Sequence, residues 1–192
     1  MYKRQLTNYH VIEGADQLKV NAGGEEYTAQ VVGTDESSDL AVLKIDATGL
    51  TAIEVGSSSD LAVGEWVMAV GSPFGLEQSV STGIVSATSR TTSALNDSSS
   101  GSSAVYTNMI QTDAAINPGN SGGALVDKDG KLIGVNTLIA SASGSSSGVG
   151  FAIPVDYAMN IAQQIIDGKT PSHAQLGITG TCLLYTSDAA DD

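Results

Sequence analysis

From Leu18 to Lys169 the chain alternates short apolar-rich runs with clusters of turn residues, a pattern that predicts strands rather than helices. Gln17–Ala22 and Tyr27–Val32 flank Gly23-Gly24 and read as a hairpin. Leu40–Ile45 is a compact apolar run, as expected of a strand covered on both faces. Further strands are expected over Glu65–Val70, Ser79–Ala87, Val105–Thr112, Ala124–Val126, Lys131–Thr137 and Val149–Pro154. Asp127-Lys128-Asp129-Gly130 is a strong hairpin signal, and the Ser-rich stretches Ser93–Ser103 and Ser141–Gly148 read as surface loops. One helix stands out, over Asp156–Asp167. Asp156 is its expected N-cap, Met159, Ala162, Ile165 and Ile166 its apolar stripe, and Gly168 its C′ residue. The fold class is therefore all-β, closed by a C-terminal helix.

Composition narrows the classes. The 192 residues suit one domain, or two small barrels sharing a core, and 22 Gly with only 5% aromatic residues suits a turn-rich β protein. Eight Lys+Arg against 21 Asp+Glu give a formal charge of −13, with no basic patch to neutralise phosphates. A nucleic-acid partner is excluded on that ground. The acidity is spread along the chain and serves solubility. No apolar run reaches membrane-spanning length, and no signal peptide is visible.

Both ends read as foreign to the domain. Met1–Gln5 and Cys182–Ser187 can be encoded by stretches of DNA that are reverse complements over most of their length, as a sequencing adaptor translated at both ends would be. Residues 1–5 and 182–192 are accordingly expected to be adaptor-derived, which leaves a domain over 6–168. Residues 169–181 would form a linker and the start of a further domain. Cys182, the only cysteine, falls in the excluded part, so it says nothing of redox compartment.

The chemistry centres on Asn117-Pro118-Gly119-Asn120-Ser121-Gly122-Gly123. A nucleophilic serine needs a tight turn that exposes its hydroxyl and aims backbone N–H groups at one point. A glycine at 119 lets its amide and that of Ser121 converge as an oxyanion hole. By itself the segment is equally a Gly-rich turn with an incidental serine. It also fits the G-x-S-x-G elbow of α/β-hydrolases, but that needs a helix after the serine and a later catalytic histidine. A hairpin signal follows instead, and the downstream His173 lies in the linker. His10, beside an apolar cluster, offers a base for the serine proton. Asp39 enters the apolar run Leu40–Val42, where an acid is costly to bury without a partner such as a histidine N–H. Taken alone, each has an ordinary structural alternative. The order His10, Asp39, Ser121 in an all-β chain is the order of chymotrypsin-like enzymes.

The segments Thr7–Val11, Asp39–Lys44 and Gln111–Gly123 resemble the three signature blocks of HtrA/Deg serine proteases, and Gly71–Gly75 and Gly148–Pro154 are similar to further segments of that family. The resemblance covers about Leu6–Gly180. It implies a chymotrypsin-like double β-barrel with a C-terminal helix, the N-terminal barrel incomplete because its first strands are missing, and a PDZ domain cut off near Gln175–Gly180. It implies a His10–Asp39–Ser121 triad acting through an acyl-enzyme, with Gly119, Asn120 and Ser121 forming the oxyanion hole. The substrate pocket would be lined by Ala115, Ile133, Val135, Val149, Gly150 and Phe151, with an edge strand pairing to the substrate backbone.

Ala115 stands where enzymes that cut after Lys or Arg carry an acid, so a small aliphatic side chain is expected in the pocket. Asn120 stands where digestive enzymes carry Asp, so a salt bridge to a new N-terminus is not available. The family reading is an extracytoplasmic endopeptidase of misfolded or unfolded polypeptides, working without metal or cofactor as a trimer-based homo-oligomer. The alternatives are a chaperone-like peptide-binding module that does not cut, or an inactive fragment of an active parent.

Overall fold

The computed structural model describes residues 3–72, 79–93, 105–139 and 148–173. The expected Ser-rich loops, the adaptor-like C-terminus and the start of a further domain fall almost wholly outside these residues. Among the described residues, ten strands and two helices are formed. The first half comprises β1 (Lys3–Thr7), α1 (Tyr9–Ile12), β2 (Lys19–Ala22), β3 (Glu25–Asp35) and β4 (Leu40–Ile45). The second comprises β5 (Trp66–Gly71), β6 (Ser79–Ser93), β7 (Val105–Thr112), β8 (Ala124–Asp127), β9 (Leu132–Ile139), β10 (Gly150–Pro154) and α2 (Val155–Ile166).

The second half is a closed barrel in the order β10-β7-β6-β5-β8-β9, whereas the first is an open four-stranded sheet in the order β1-β4-β3-β2. The expected asymmetry between a complete and an incomplete barrel is present. β1 and β2 are the free edges of the sheet, and a groove of about 800 Å³ runs between them over Leu6, Val20, Ile45 and Leu50. Lys3, Arg4 and Gln5, set aside on sequence grounds, form part of β1 and pair with Ile45, Lys44 and Leu43. Strand pairing runs through backbone groups and asks little of side chains, so this pairing does not depend on where those residues come from.

The pattern of β4 shows why the halves adhere. Its alternate residues Ala41, Leu43 and Ile45 fill the concave face of the open sheet with Ile12, Val20 and Ala29. Leu40 and Val42 point the other way, into a cluster with Met109, Val135 and Phe151 of the barrel and Ile161 and Ile165 of α2. Both faces are covered, as the unbroken apolar run predicts. The turns also follow their sequences. Gly23 and Gly24 take φ +64° and +82° between β2 and β3, as a two-residue hairpin loop requires. Asp127 Oδ1 accepts the amides of Asp129 and Lys131 at 2.9 Å between β8 and β9. A hairpin, not a helix, therefore follows Ser121, and the α/β-hydrolase elbow is ruled out.

The helix differs from its sequence reading. Pro154, not Asp156, is its N-cap residue, and no side chain caps it from that position. Asp156 lies within the first turn, where its carboxylate accepts the amides of Ser58 and Ser59 at 3.0 Å and the Ser58 hydroxyl at 2.9 Å. The Ser58 hydroxyl in turn accepts the Asp156 amide, so the cap is supplied by a loop nearly a hundred residues upstream. The buried stripe is Val155, Ala158, Ile161, Ala162 and Ile165, and Met159 is 38% exposed. Of the expected stripe, Ala162 and Ile165 are buried and Ile166 is partly buried against the same cluster; Met159 alone lies off it. Gly168 does close the helix, with φ +72° and its amide on the Ile165 carbonyl.

Ile161 packs at the one place where sheet, barrel and helix meet. Ile161→Ala is expected to cost about 2–5 kcal/mol of unfolding free energy, while the exposed Met159→Ala stays within about 0.5 kcal/mol. Urea titration followed by circular dichroism measures both. Equal losses would show that the helix is not seated as described.

Candidate active site

His10 sits on the single turn of α1, directly after β1, and Asp39 ends the turn from β3 into β4. Strand pairing of β1 with β4 brings these two connections side by side. His10 Nδ1 lies 2.7 Å from Asp39 Oδ2, and the His10 amide donates to Asp39 Oδ1 at 2.9 Å. The Asp39 carbonyl accepts the Tyr9 amide at 3.1 Å and the Asn8 side-chain amide at 2.9 Å. Asp39 is 2% exposed and takes φ +54°, a left-handed conformation that an aspartate holds only when its surroundings fix it. An ionised carboxylate only accepts, so Nδ1 is the donor, and in the neutral ring the lone pair is then on Nε2. The His10 side chain is 42% exposed, in contrast with its buried partner. Tyr106 lies close enough to Asp39 to feel it: burial first, then that negative charge, pushes its phenol up to about 12.

The serine turn belongs to the barrel. The Asn120 amide donates to the Asn117 carbonyl and the Gly123 amide to the Asn120 carbonyl, each at 2.9 Å, which winds the chain tightly around Ser121. Gly119 takes φ +101°, open to glycine and strained for other residues. Among the described residues, the amides of Gly119 and Ser121 donate to no backbone carbonyl. The Asn120 side chain turns inward and donates to the Ala115 carbonyl at 3.1 Å. Gly122 is pressed against the residues that precede His10: a Cβ there would collide with the Thr7 hydroxyl and come within 3.1 Å of the Asn8 amide. The serine turn thus abuts the segment that leads into His10 with no room for a side chain between them.

The Ser121 hydroxyl donates to the Thr137 carbonyl at 3.2 Å. Among the described residues, no hydrogen bond joins it to His10. The structure therefore forms the His10–Asp39 pair and sets the serine turn against it, with the hydroxyl directed to β9. Two residues that sequence reading had not singled out complete the junction. Asn8 Nδ2 bonds both the Asp39 carbonyl and, at 3.0 Å, Thr137 Oγ1. Asn136, on β9, pairs with the end of the serine turn: its carbonyl accepts the Gly122 amide at 2.8 Å and its amide donates to the Gly123 carbonyl at 2.9 Å. The only local hint was an Asn just before a helical turn, which reads as a cap. Asn8 is the N-cap residue but makes no side-chain cap bond: its Nδ2 is committed across the junction, and its buried Oδ1 has no hydrogen-bond partner among the described residues.

Of the expected pocket residues, Ile133 is 1% exposed and points into the barrel interior with Val67, Val85, Ile110 and Leu125. Val135 and Phe151 are likewise buried, in the cluster beneath α2. All three are buried in the core; strand periodicity shows that a residue is covered, not by what. Ala115 is exposed, Val149 half-buried, and Gly150 lies against Ile116.

Residues 3–135 match the family described as "Trypsin-like peptidase domain". A probable periplasmic serine endoprotease DegP-like of Halomonas elongata is 48% identical over 174 residues, which make up 90% of this chain and 35% of that protein. Protease Do-like 1, chloroplastic, of Arabidopsis thaliana is 46% identical over 195 residues, 93% of this chain and 43% of that one. The solved structure of the HtrA-type protease AlgW with a decapeptide superposes with a TM-score of 0.78 at 50% identity, covering 87% of this chain and 49% of AlgW. This chain thus spans about a third to a half of the length of these relatives. With an open sheet and a closed barrel meeting at a His–Asp pair and a glycine-bound serine, the chain belongs to the trypsin-like peptidase family, among its HtrA/DegP members.

Proposed function

We propose that this domain is the peptide-bond-hydrolysing part of a serine endopeptidase, with Ser121 as nucleophile, His10 as base and then acid, and Asp39 as the residue that orients His10. The observation that carries this reading is the 2.7 Å contact between His10 Nδ1 and a buried Asp39. It leaves Nε2 as the proton acceptor, the one arrangement in which the imidazole can take the serine proton and return it to the leaving amine. To act as nucleophile, Ser121 has to leave the Thr137 carbonyl, to which its hydroxyl donates at 3.2 Å. The amides of Gly119 and Ser121 are the donors for the tetrahedral oxyanion; the Asn120 amide, expected to be a third, is taken by the Asn117 carbonyl.

The substrate class that suits this reading is unfolded or misfolded polypeptide. The intact protein would work outside the cytoplasm, in line with relatives named as periplasmic, and would assemble as a trimer-based homo-oligomer. The pocket reading rests on Ala115 and Val149. With no acid at 115, a Lys or Arg side chain would enter without a counter-charge, whereas a small aliphatic one needs none.

The Thr137 bond of Ser121 favours one alternative, a peptide-binding module that does not cut. Labelling with a serine-directed fluorophosphonate separates the two, because it requires an activated hydroxyl. Labelling of the wild-type protein that disappears in Ser121→Ala and His10→Ala is expected. Label of equal strength on Ser121→Ala would overturn the nucleophile assignment. In cleavage assays either substitution should remove all but the roughly 10³–10⁴-fold acceleration over water that binding and oxyanion stabilisation supply. Circular dichroism should remain unchanged.

A peptide library should show cleavage after Val, Ala or similar residues over Lys or Arg. The preference within the aliphatic set should be broad, since one methylene discriminates by only about 1–3 kcal/mol. A profile dominated by Lys or Arg would refute the pocket reading.

A further inference from the structure

The chain has two histidines, and both are paired with aspartates at opposite ends of one turn. His10 holds Asp39 at its end. At its start, His173 Nε2 lies 3.0 Å from Asp35 Oδ1, across 138 residues of sequence. The other oxygen of Asp35 accepts the Ser38 amide at 3.1 Å and the Ser38 hydroxyl. The Asp39 amide then closes the turn on the Glu36 carbonyl at 3.1 Å. Asp35 is thus the internal brace of the turn that delivers Asp39, and His173 is the brace's outer partner.

Three features make this pairing more than a surface contact. The Asp35 side chain is only 10% exposed, so losing a donor leaves a largely desolvated carboxylate oxygen unmatched. His173 is itself oriented: Nδ1 lies 3.2 Å from the Tyr157 hydroxyl on α2. An acceptor-only carboxylate fixes the proton on Nε2, so neutral His173 accepts from Tyr157 at Nδ1. Finally, an open cavity of about 430 Å³ borders Ser37, Ser38, Tyr157 and His173. Close packing is missing on that side of the turn, so hydrogen bonds must hold it.

The segment after α2 is laid down to reach this place. The Lys169 amide donates to the Gln164 carbonyl, and the Ser172 amide donates to Gln164 Oε1 at 3.0 Å. His173 follows directly and ends on Asp35.

We propose that His173 is a positioning residue for the triad, coupling the segment that leaves the domain after α2 to the placement of Asp39 and, through it, of His10. The proposal rests on the triad reading for its catalytic consequence, but not for the coupling itself. Displacing the segment frees Asp35, loosens the turn and lets the His10–Asp39 pair drift. Holding the segment keeps the pair formed.

The test compares His173→Ala and His173→Gln with the wild-type chain. Gln keeps a side-chain N–H for Asp35, and Ala does not. Amide hydrogen exchange is followed by mass spectrometry over three regions: residues 35–42, residues 9–13, and β8 to β9 as a reference. Loss of a hydrogen bond to a charged acceptor should speed exchange in the first two regions by about tenfold to a hundredfold in His173→Ala, leaving β8 and β9 at their original rates. His173→Gln should recover most of the protection. Unchanged exchange over 35–42 in His173→Ala would overturn the proposal. So would equal acceleration in all three regions, or a Gln variant no better than Ala. Fluorophosphonate labelling of Ser121 should slow in His173→Ala and recover in His173→Gln. If the Ser121→Ala control still labels, the triad reading fails while the exchange result stands, so the two failures are told apart.

Discussion

The site is divided between two sheets, and neither half holds a complete set of groups. His10 and Asp39 belong to the open sheet, while Ser121 and its glycines belong to the closed barrel. The arrangement depends on how these bodies are locked, and the polar part of that lock is Asn8. Its buried side-chain amide uses one donor pair for both sides, binding the Asp39 carbonyl and the Thr137 hydroxyl. Thr137 in turn supplies the carbonyl that holds the Ser121 hydroxyl. A continuous chain of hydrogen-bonded residues therefore runs from Asp39 to Ser121 through Asn8 and Thr137. Around it lies apolar weld: Leu40 and Val42 of β4, barrel residues Met109 and Phe151, and the inner face of α2. The weld supplies adhesion without direction, and the hydrogen bonds supply direction.

Much of the fold was legible because its signals are local. The apolar run Leu40–Ile45, the Gly23-Gly24 hairpin and the Asp127–Gly130 turn each encode their geometry within a few residues, and each is found as read. The three chemical blocks were legible for a different reason. A serine bracketed by glycines, an acid entering an apolar strand and a histidine beside one are costly or unusual placements, so together they point to use.

What escaped reading depends on partners far away in sequence. Asp156 looks like a helix cap by position, but its carboxylate is spent on Ser58 and Ser59, which no local window contains. Ile133 and Val135 share a strand with Thr137, yet the first faces the barrel interior and the second the layer beneath α2. A register shift between Leu125 and Val126 in the neighbouring pairing is the sort of irregularity that alternation cannot anticipate. Asn8 and Asn136 escaped for the same reason: an asparagine carries no sign of whether its amide is meant for its own backbone or for another sheet. The histidine in the supposed linker was dismissed as remote from the chemistry, and in sequence it is.

The bond between Ser121 and the Thr137 carbonyl separates two kinds of readiness. A side chain moving between staggered rotamers crosses a low barrier and does so in picoseconds to nanoseconds. The Ser121 hydroxyl can therefore leave and regain the Thr137 carbonyl on that timescale. Under the proposed triad, a slow start would not reside in the Ser121 side chain. It must reside in how often the imidazole stands where a turning hydroxyl can find it. The rate of first encounter with substrate would then be set by the alignment of two bodies rather than by any chemical masking of the serine.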